Sequence, residues 1–427
     1  MSYGECCPNE EDTLKRDRAV VVAALGTTQT LAWASSYYLP AILGVPIATA
    51  LGITPGVFFG IFSGALLLSA ALGPLVGRLI DRHGGRAVLA ASNVVLAAGL
   101  AGLGLAQGIV GLCVAWLILG VGIAMGLYDP AFATLTRLYG REARAAITGI
   151  TLIAGFASTV GWPATAWFEY EFGWREACLI WAALNLFIAM PLNWRLIPAA
   201  PAEVPGTAPT QPGIAPAATE KAPRGAMAAL AFFFCATAFV TGAMAAHLPR
   251  LLELAGATPA AAIAAGALVG PAQVAARLVE FGFLRAFHPV WSARIATLWH
   301  PVAGVLLGAL GPVGYLLFAA AHGAGNGMIT IVKGTLPLAI FGPAGYGQRV
   351  GILSAPARVA LSAAPFVFGV LLDEVGVLAV TVSAGMSLAA FASLWVLGPR
   401  GAQPATATVE PRRAPAQAAG GGPALAV

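Results

Sequence analysis

Along nearly its whole length this chain is built of apolar runs of about twenty residues, separated by short polar or Gly/Pro-rich breaks. A helix of that length is ~30 Å long, the thickness of a bilayer's hydrocarbon core. Only helices and closed barrels satisfy their own backbone groups in lipid, and these runs are continuous rather than alternating, which selects helices. Breaking them at charges, Gly and Pro predicts spans near 19–43, 55–80, 86–106, 109–136, 145–168 and 175–197. Six more follow near 226–248, 259–286, 291–309, 312–340, 347–372 and 376–397. Composition agrees: 59% of residues are hydrophobic and 10% charged, against roughly a quarter charged in soluble domains. The expected fold class is an all-α polytopic membrane protein of twelve transmembrane helices.

Five segments are predicted. Residues 1–18 form a polar N-terminal tail, 19–197 a first six-helix bundle, 198–225 an Ala/Pro-rich linker, 226–398 a second six-helix bundle, and 399–427 a disordered Ala/Pro/Gly-rich tail. The first apolar run is read as a span and not a signal peptide, because Glu5, Glu10, Glu11 and Asp12 precede its basic residues and no suitable cleavage site follows. Net charge is +5, yet the basic residues are dispersed among connectors instead of gathered on a stripe, so no nucleic-acid partner is expected. Lys15, Arg16, Arg18, Arg78, Arg82, Arg86, Arg137, Arg141, Arg144, Arg195, Lys221 and Arg224 fall in connectors on one side, whereas the opposite loops of the chain hold Arg175 and Arg250 among several acids. The positive-inside rule then places both termini and the linker in the cytoplasm of an integral plasma (inner) membrane protein. Cys113, Cys178 and Cys235 lie in apolar runs; the adjacent Cys6 and Cys7 are either an inert tail pair or a thiolate site for a soft metal or metalloid. No cofactor and no resident metal are expected.

The halves echo each other. Gly149, Trp162-Pro163 and Gly173 are matched by Gly351, Ala364-Pro365 and Val375, and Gly77-Arg-Leu-Ile-Asp81 by Ala276-Arg-Leu-Val-Glu280. Parallel repeats of this kind put a solute site between them near the midplane.

After the second run the chain reads Gly77-Arg-Leu-Ile-Asp81-Arg82-His-Gly84-Gly-Arg86. This resembles the loop signature of the major facilitator superfamily, Gly-x-x-x-Asp-Arg/Lys-x-Gly-x-Arg/Lys, at its expected place between spans 2 and 3. Gly77 is expected to allow close helix approach, Gly84 a tight turn, and Asp81 to pair with arginines or a helix N-terminus. The resemblance implies a conformational latch of Gly77, Asp81, Arg82, Gly84 and Arg86 that does not touch solute. The second-half counterpart, Arg277 and Glu280, lacks the following Gly/Arg pattern. Span 5 carries Gly155, Gly161 and Pro163 but not the closing Gly pair of the family's drug antiporters.

Charged residues at membrane depth are costly and mark function or pairing. Arg358, near the midplane of span 11, is either an anion-binding cation or the partner of Glu280 or another carboxylate. Arg277 in span 8 is divided between solute contact and pairing with Glu280. Asp129, in Tyr128-Asp129-Pro130, either pairs with Arg137 or Arg144 or carries protons, and Lys333 is read as snorkelling to the interface. His322 and Asn326 share a face of span 10, and Gln29, Trp33 and Tyr37 share one of span 1. In the resembled family spans 1, 4, 7 and 10 line the cavity, which makes both stripes, with Tyr128, candidate solute contacts. Asp129, Glu280 and His322 are the proton-coupling candidates. An arginine in span 8 with a cation in span 11 resembles the oxalate/formate and monocarboxylate branches, where cations bind carboxylates.

The sequence therefore predicts a monomeric secondary transporter, not an enzyme, moving a small-molecule substrate across the lipid bilayer by alternating access. A small organic anion is the candidate substrate, and symport or antiport with an ion or proton the candidate coupling. An exporter of a drug, metabolite or metalloid is the nearest alternative, followed by a non-transporting solute sensor.

Overall fold

The computed structural model describes residues 10–139, 143–199, 225–284, 287–341 and 346–397. The first nine residues with Cys6 and Cys7, nearly all of the 198–225 linker and the 399–427 tail lie outside the described residues, as does the Asp81 side chain. Among the described residues the chain is helical, with turns between helices and no strand. The first half comprises α1 (Glu10–Ala32), a π-helical stretch (Trp33–Tyr38), α2 (Pro40–Ala50), α3 (Pro55–His83), α4 (Gly85–Gly104), α5 (Ile109–Gly126), α6 (Tyr128–Tyr139), α7 (Ala143–Ala154), α8 (Ala157–Phe172), α9 (Trp174–Leu184), a second π-helical stretch (Asn185–Ala189) and α10 (Met190–Leu196). The second half comprises α11 (Ala226–Leu254), α12 (Pro259–Ala267), α13 (Val269–Gly282), α14 (Pro289–Ala309), α15 (Pro312–Phe341), α16 (Tyr346–Val375) and α17 (Ala379–Ser393).

Among the described residues nine helical stretches are long and apolar enough to cross a membrane, and ten when α1 and α2, bent by 40° about Leu39, are taken as one. Local chemistry sets the boundaries. Thr54 and Thr258 each accept a backbone N–H through the side chain and are followed by Pro55 and Pro259 at the first helical position, where a missing N–H costs nothing. Gly84 takes φ +81° between α3 and α4, a conformation that L side chains rarely adopt.

α3 packs along α16, and α8 lies on α12 and α13, so these helices join the halves. The seam is sealed at the end remote from the chain termini. There, Ala245 and Ala246 of α11 enter a first-half core around Phe58, Phe62 and Trp116, while Trp162 of α8 enters a second-half core around Phe318 and Phe368. His247 packs against Phe59 at 4.1 Å between centroids, the rings tilted by 52°, and the Phe366 N–H donates to Ser63 Oγ at 3.1 Å. Nearer the termini the cores separate. Val21, Leu25, Leu89 and Ile150 cluster within the first half, and Leu230, Phe233, Leu336 and Leu353 within the second. The molecule is closed at one end and parted at the other.

Candidate functional site

Where the halves part, charged side chains converge from four helices. Asp129 opens α6, just past the break at Leu127, and Arg358 sits on α16. Their Oδ2 and Nη2 are 2.9 Å apart, with the side chains 69% and 41% exposed. Lys333 of α15 lies within electrostatic range of the same carboxylate. A Cβ added at Gly73 of α3 would stand 3.0 Å from Arg358 Nη1, so the absence of a side chain there leaves room for the guanidinium.

Arg277 of α13 is 8% exposed and crosses to the first half, where Nη1 donates to the Thr151 carbonyl at 2.7 Å. That carbonyl also accepts from Gly155 N–H at the break between α7 and α8. Nη2 donates to Gln273 Oε1 at 3.3 Å and Thr330 Oγ1 at 3.5 Å, the guanidinium faces Tyr128, and Nε has no partner. A buried cation held by neutral oxygens lacks its counter-charge, which is an unfavourable state unless an anion joins it. The approach of α13 to the first half needs a small residue: a Cβ on Gly270 would stand 2.8 Å from the Gly155 carbonyl oxygen.

An aromatic wall borders these cations. Trp33 lies 4.9 Å from Tyr128 and 6.3 Å from Tyr38, Tyr128 stacks on Phe132 at 5.2 Å, and Tyr38 meets Trp162 edge-on at 5.4 Å.

The predicted residues divide. Trp33, Tyr128, Asp129, Arg277 and Arg358 come together, and Tyr37 adjoins them through Trp33, at 5.0 Å between ring centroids, with its own ring in the first-half core. The expected Gln29, Trp33, Tyr37 stripe presumes 3.6 residues per turn, and the π-helical stretch Trp33–Tyr38 inserts extra backbone. Tyr37 is thereby turned into the first-half core against Phe62, and Tyr38 takes the site-facing position. Gln29 donates to the Gly126 carbonyl at 2.6 Å, at the end of α5, so it supports the break that exposes Asp129.

The expected pairings also change. Asp129 bonds Arg358 of the other half instead of Arg137, whose Nη1 donates to the Ile80 carbonyl at 3.3 Å; the Arg144 side chain is outside the described residues. Arg277 and Glu280 do not pair. They are three apart on α13, but Arg277 turns to Thr151 while Glu280 faces Ser292 with Oε2 unpartnered. Lys333, half-buried on α15, lies within electrostatic range of Asp129.

His322 and Asn326 face the interior of the second half. His322 Nδ1 is 3.3 Å from His300 Nδ1, His300 Nε2 is 2.9 Å from Ser383 Oγ, and Thr241 Oγ1 donates to Asn326 Oδ1 at 2.9 Å. The cavity among them is about 20 Å³, room for about one water. A larger groove of about 690 Å³ at the α4–α5 turn is lined by Leu105, Ile109, Val110 and Val114 and offers no titratable group.

In the latch sequence, a Cβ at Gly77 would meet nothing within 4 Å, so no close helix approach depends on it. The close approach occurs at Gly85, where an added Cβ would lie 1.8 Å from Thr134 Oγ1. Arg82 is exposed, and Arg86 lies over the Trp194 ring at 4.9 Å. Sequence reasoning missed Tyr38, His300, Gln273 and Thr330. The detectable signal was polarity inside an apolar run, and for Tyr38 its place beside Tyr37.

Known proteins agree with this architecture. Human monocarboxylate transporter 11 is 28% identical over 352 residues, 78% of this chain and 66% of that protein. The human solute carrier family 2 facilitated glucose transporter member 10 is 33% identical over 168 residues, 35% of this chain and 30% of that protein. The chain thus spans just under two thirds of the first relative and under a third of the second. Among solved structures, nucleoside transporter NupG superposes with a TM-score of 0.71 at 14% identity, covering 90% of this chain and 100% of that one. The human organic anion transporter MFSD10 (TETRAN) does so with a TM-score of 0.61 at 17% identity, covering 89% and 99%. At such identities these likenesses establish the fold. Residues 25–321, from within α1 into α15, match the Major Facilitator Superfamily, and the chain belongs to it.

Proposed function

We propose that this protein is a secondary transporter that moves a small organic anion across the inner membrane by alternating access. The observation that carries the reading is the charge count where the halves part: Arg277, Arg358 and Lys333 from three helices of the second half meet a single described carboxylate, Asp129, from the first. Cations at one locus repel one another unless an anion joins them, and guanidinium groups offer planar, bidentate recognition of carboxylates. In this reading Arg277 and Arg358 bind the solute, with Trp33, Tyr38 and Tyr128 forming the wall beside it. The similarity to a monocarboxylate transporter supports the same substrate class.

The architecture proposed with it is twelve spans in two six-helix bundles, joined by the 198–225 linker. In this arrangement α14 and α17 count as separate spans, both termini are cytoplasmic, the working unit is a monomer, and transport is coupled to an ion or proton gradient. The rigid halves rock about the central site, and the sealed seam at one end with the parted cores at the other represents one of the two end states.

Reconstitution in liposomes with labelled monocarboxylates, dicarboxylates, neutral sugars and nucleosides, and organic cations tests the substrate class. Uptake of an anion is expected, with Arg277→Gln and Arg358→Ala each raising KM by about 10- to 100-fold, the loss of one charge-assisted hydrogen bond. Transport of a neutral solute or cation with anions ignored would overturn the reading. A tag within 198–225 tests orientation and is expected to be reached from the cytoplasm alone.

A further inference from the structure

A second buried cation stands without a counter-charge, away from the cleft between the halves. Arg294 lies on the second turn of α14, about 8 Å from its first residue. Its neighbours Val290 and Ala293, with Leu394, belong to the second-half core nearest the termini. It is 4% exposed. Its guanidinium lies over two indole rings, 5.0 Å from the centroid of Trp291 and 4.3 Å from that of Trp395. Nη2 donates to the Leu394 carbonyl at 3.3 Å, where α17 ends. Nε is enclosed and has no partner, and Nη1 is neither enclosed nor bonded to a described residue, so it is the free edge of the fork. A carbonyl at a helix C-terminus attracts a cation, but it takes one of the five guanidinium donors and leaves the charge in place.

No acid among the described residues is placed to neutralise it. α14 and two helices packed on it, α15 and α17, carry no Asp or Glu. Glu280 of α13 is turned to Ser292, two residues and so about 200° round α14 from Arg294. His288, at the start of α14, lies within electrostatic range and is itself a base. The flanking indoles are 45% and 62% exposed, and tryptophan at a helix end marks the headgroup level of a bilayer. α14 and α17 pack against helices of their own half, so this face belongs to the membrane side of the bundle.

We infer that Arg294, flanked by Trp291 and Trp395, binds the phosphate of an anionic phospholipid in the leaflet nearest the chain termini. A guanidinium matches phosphate geometry with parallel N–H···O bonds, and the lipid supplies the negative charge that the protein does not. The indoles give the glycerol and upper acyl chain an apolar wall while their faces hold the guanidinium by cation–π attraction. In the orientation proposed above this is the cytoplasmic leaflet, where basic pockets between helices hold anionic headgroups. The inference makes no use of the solute site and stands whatever the solute is.

The test titrates full-length protein in neutral detergent with dioctanoyl phosphatidylglycerol, dioctanoyl phosphatidylcholine or inorganic phosphate. Melting temperature is read throughout, and native mass spectrometry counts the lipids retained. Phosphatidylglycerol is expected to raise the melting temperature saturably, with retained lipid, and the other two are not. Arg294→Gln is expected to move the midpoint of that titration about tenfold upward, the loss of one charge-assisted hydrogen bond, and Arg294→Lys by less. Arg349→Gln is expected to leave it unchanged, because Arg349 already donates to the Phe341 carbonyl at 2.8 Å. Should Arg294→Gln not fold, Trp395→Leu keeps the charge, removes one indole and is expected to raise the midpoint several-fold. A wild-type midpoint in Arg294→Gln, or in Trp395→Leu where that variant replaces it, would overturn the inference and leave Arg294 as a cap on α17. An equal rise with phosphatidylcholine would overturn it as well, and so would saturation by inorganic phosphate, which would mark a site for a free anion.

Discussion

The two halves of the chain solve the same packing problem with different chemistry. Inside the first half a ladder of amides ties the helices together. Thr28 Oγ1 donates to Asn193 Oδ1 at 2.9 Å, Asn193 Nδ2 to Asn93 Oδ1 at 2.7 Å, Asn93 Nδ2 to Asn185 Oδ1 at 3.3 Å, and Asn185 Nδ2 to Ser35 Oγ at 2.9 Å. These contacts join α1, α4, α10 and both π-helical stretches. Inside the second half the equivalent work falls to His300, His322 and Ser383 on α14, α15 and α17, with Thr241 and Asn326 linking α11 to α15. An amide carries its donor and acceptor on one side chain and does not ionise, so the ladder has one fixed direction and one charge state. An imidazole pair must settle which ring holds the shared proton, so its direction depends on the tautomer. The first half is therefore held by links of fixed direction and the second by links whose direction depends on the tautomer.

That contrast can be broken by mutation. The largest effect is expected for His300→Ala, which removes a buried ring packed against Phe318 together with two polar contacts. A loss of about 2–4 kcal/mol follows from cavity and hydrogen-bond terms, seen as a lowered Tm. Asn93→Ala, which takes one partner each from Asn193 and Asn185, is expected to lose about 1–3 kcal/mol. A double-mutant cycle sharpens the comparison. Coupling between Asn93 and Asn193 is expected to be no more than about 1.7 kcal/mol, the upper end for interhelical hydrogen bonds in membranes; a larger value would make the ladder, and not the imidazole pair, the stronger link. Smallest is Thr241→Val, which keeps shape and removes one exchangeable bond to Asn326, for about 0.6 kcal/mol. Equal melting curves for His300→Ala and Thr241→Val would show that the histidine pair holds nothing together.

Much of the helix plan was legible in advance because lipid leaves the backbone few options. Helices begin and end near the predicted breaks wherever Thr-Pro or a turn glycine sets them, as at Thr54-Pro55 and Gly84. Local reading failed where backbone geometry departed from the regular helix or where partners were distant in sequence. Tyr37 was expected in the site and Tyr38 overlooked, because nothing in the letters Trp-Ala-Ser-Ser-Tyr-Tyr announces a π-helical stretch. For Asp129 the sequence offers pairing with Arg137 or Arg144, or a proton-carrying role; its partner lies on α16, and only the meeting of the two halves makes that choice. For Arg277 the sequence leaves solute contact and pairing with Glu280 equally open; the crossing of α13 over the α7–α8 break gives it a carbonyl to bind instead of Glu280. The amide ladder passed unnoticed, since each Asn alone reads as an isolated polar residue.

Taken alone, the sequence determined that the chain is a helical membrane protein and placed its cations at depth. Apolar runs too long for anything but a span, and a loop signature of ten residues, are local properties that need no partner. The tertiary structure decided which polar groups meet. Burial makes every unpaired charge costly, so each side chain takes the partner that packing brings within reach. Packing brings Asp129 to Arg358, Arg277 to Thr151, and His322 to His300, and none of those distances is written in the order of the residues.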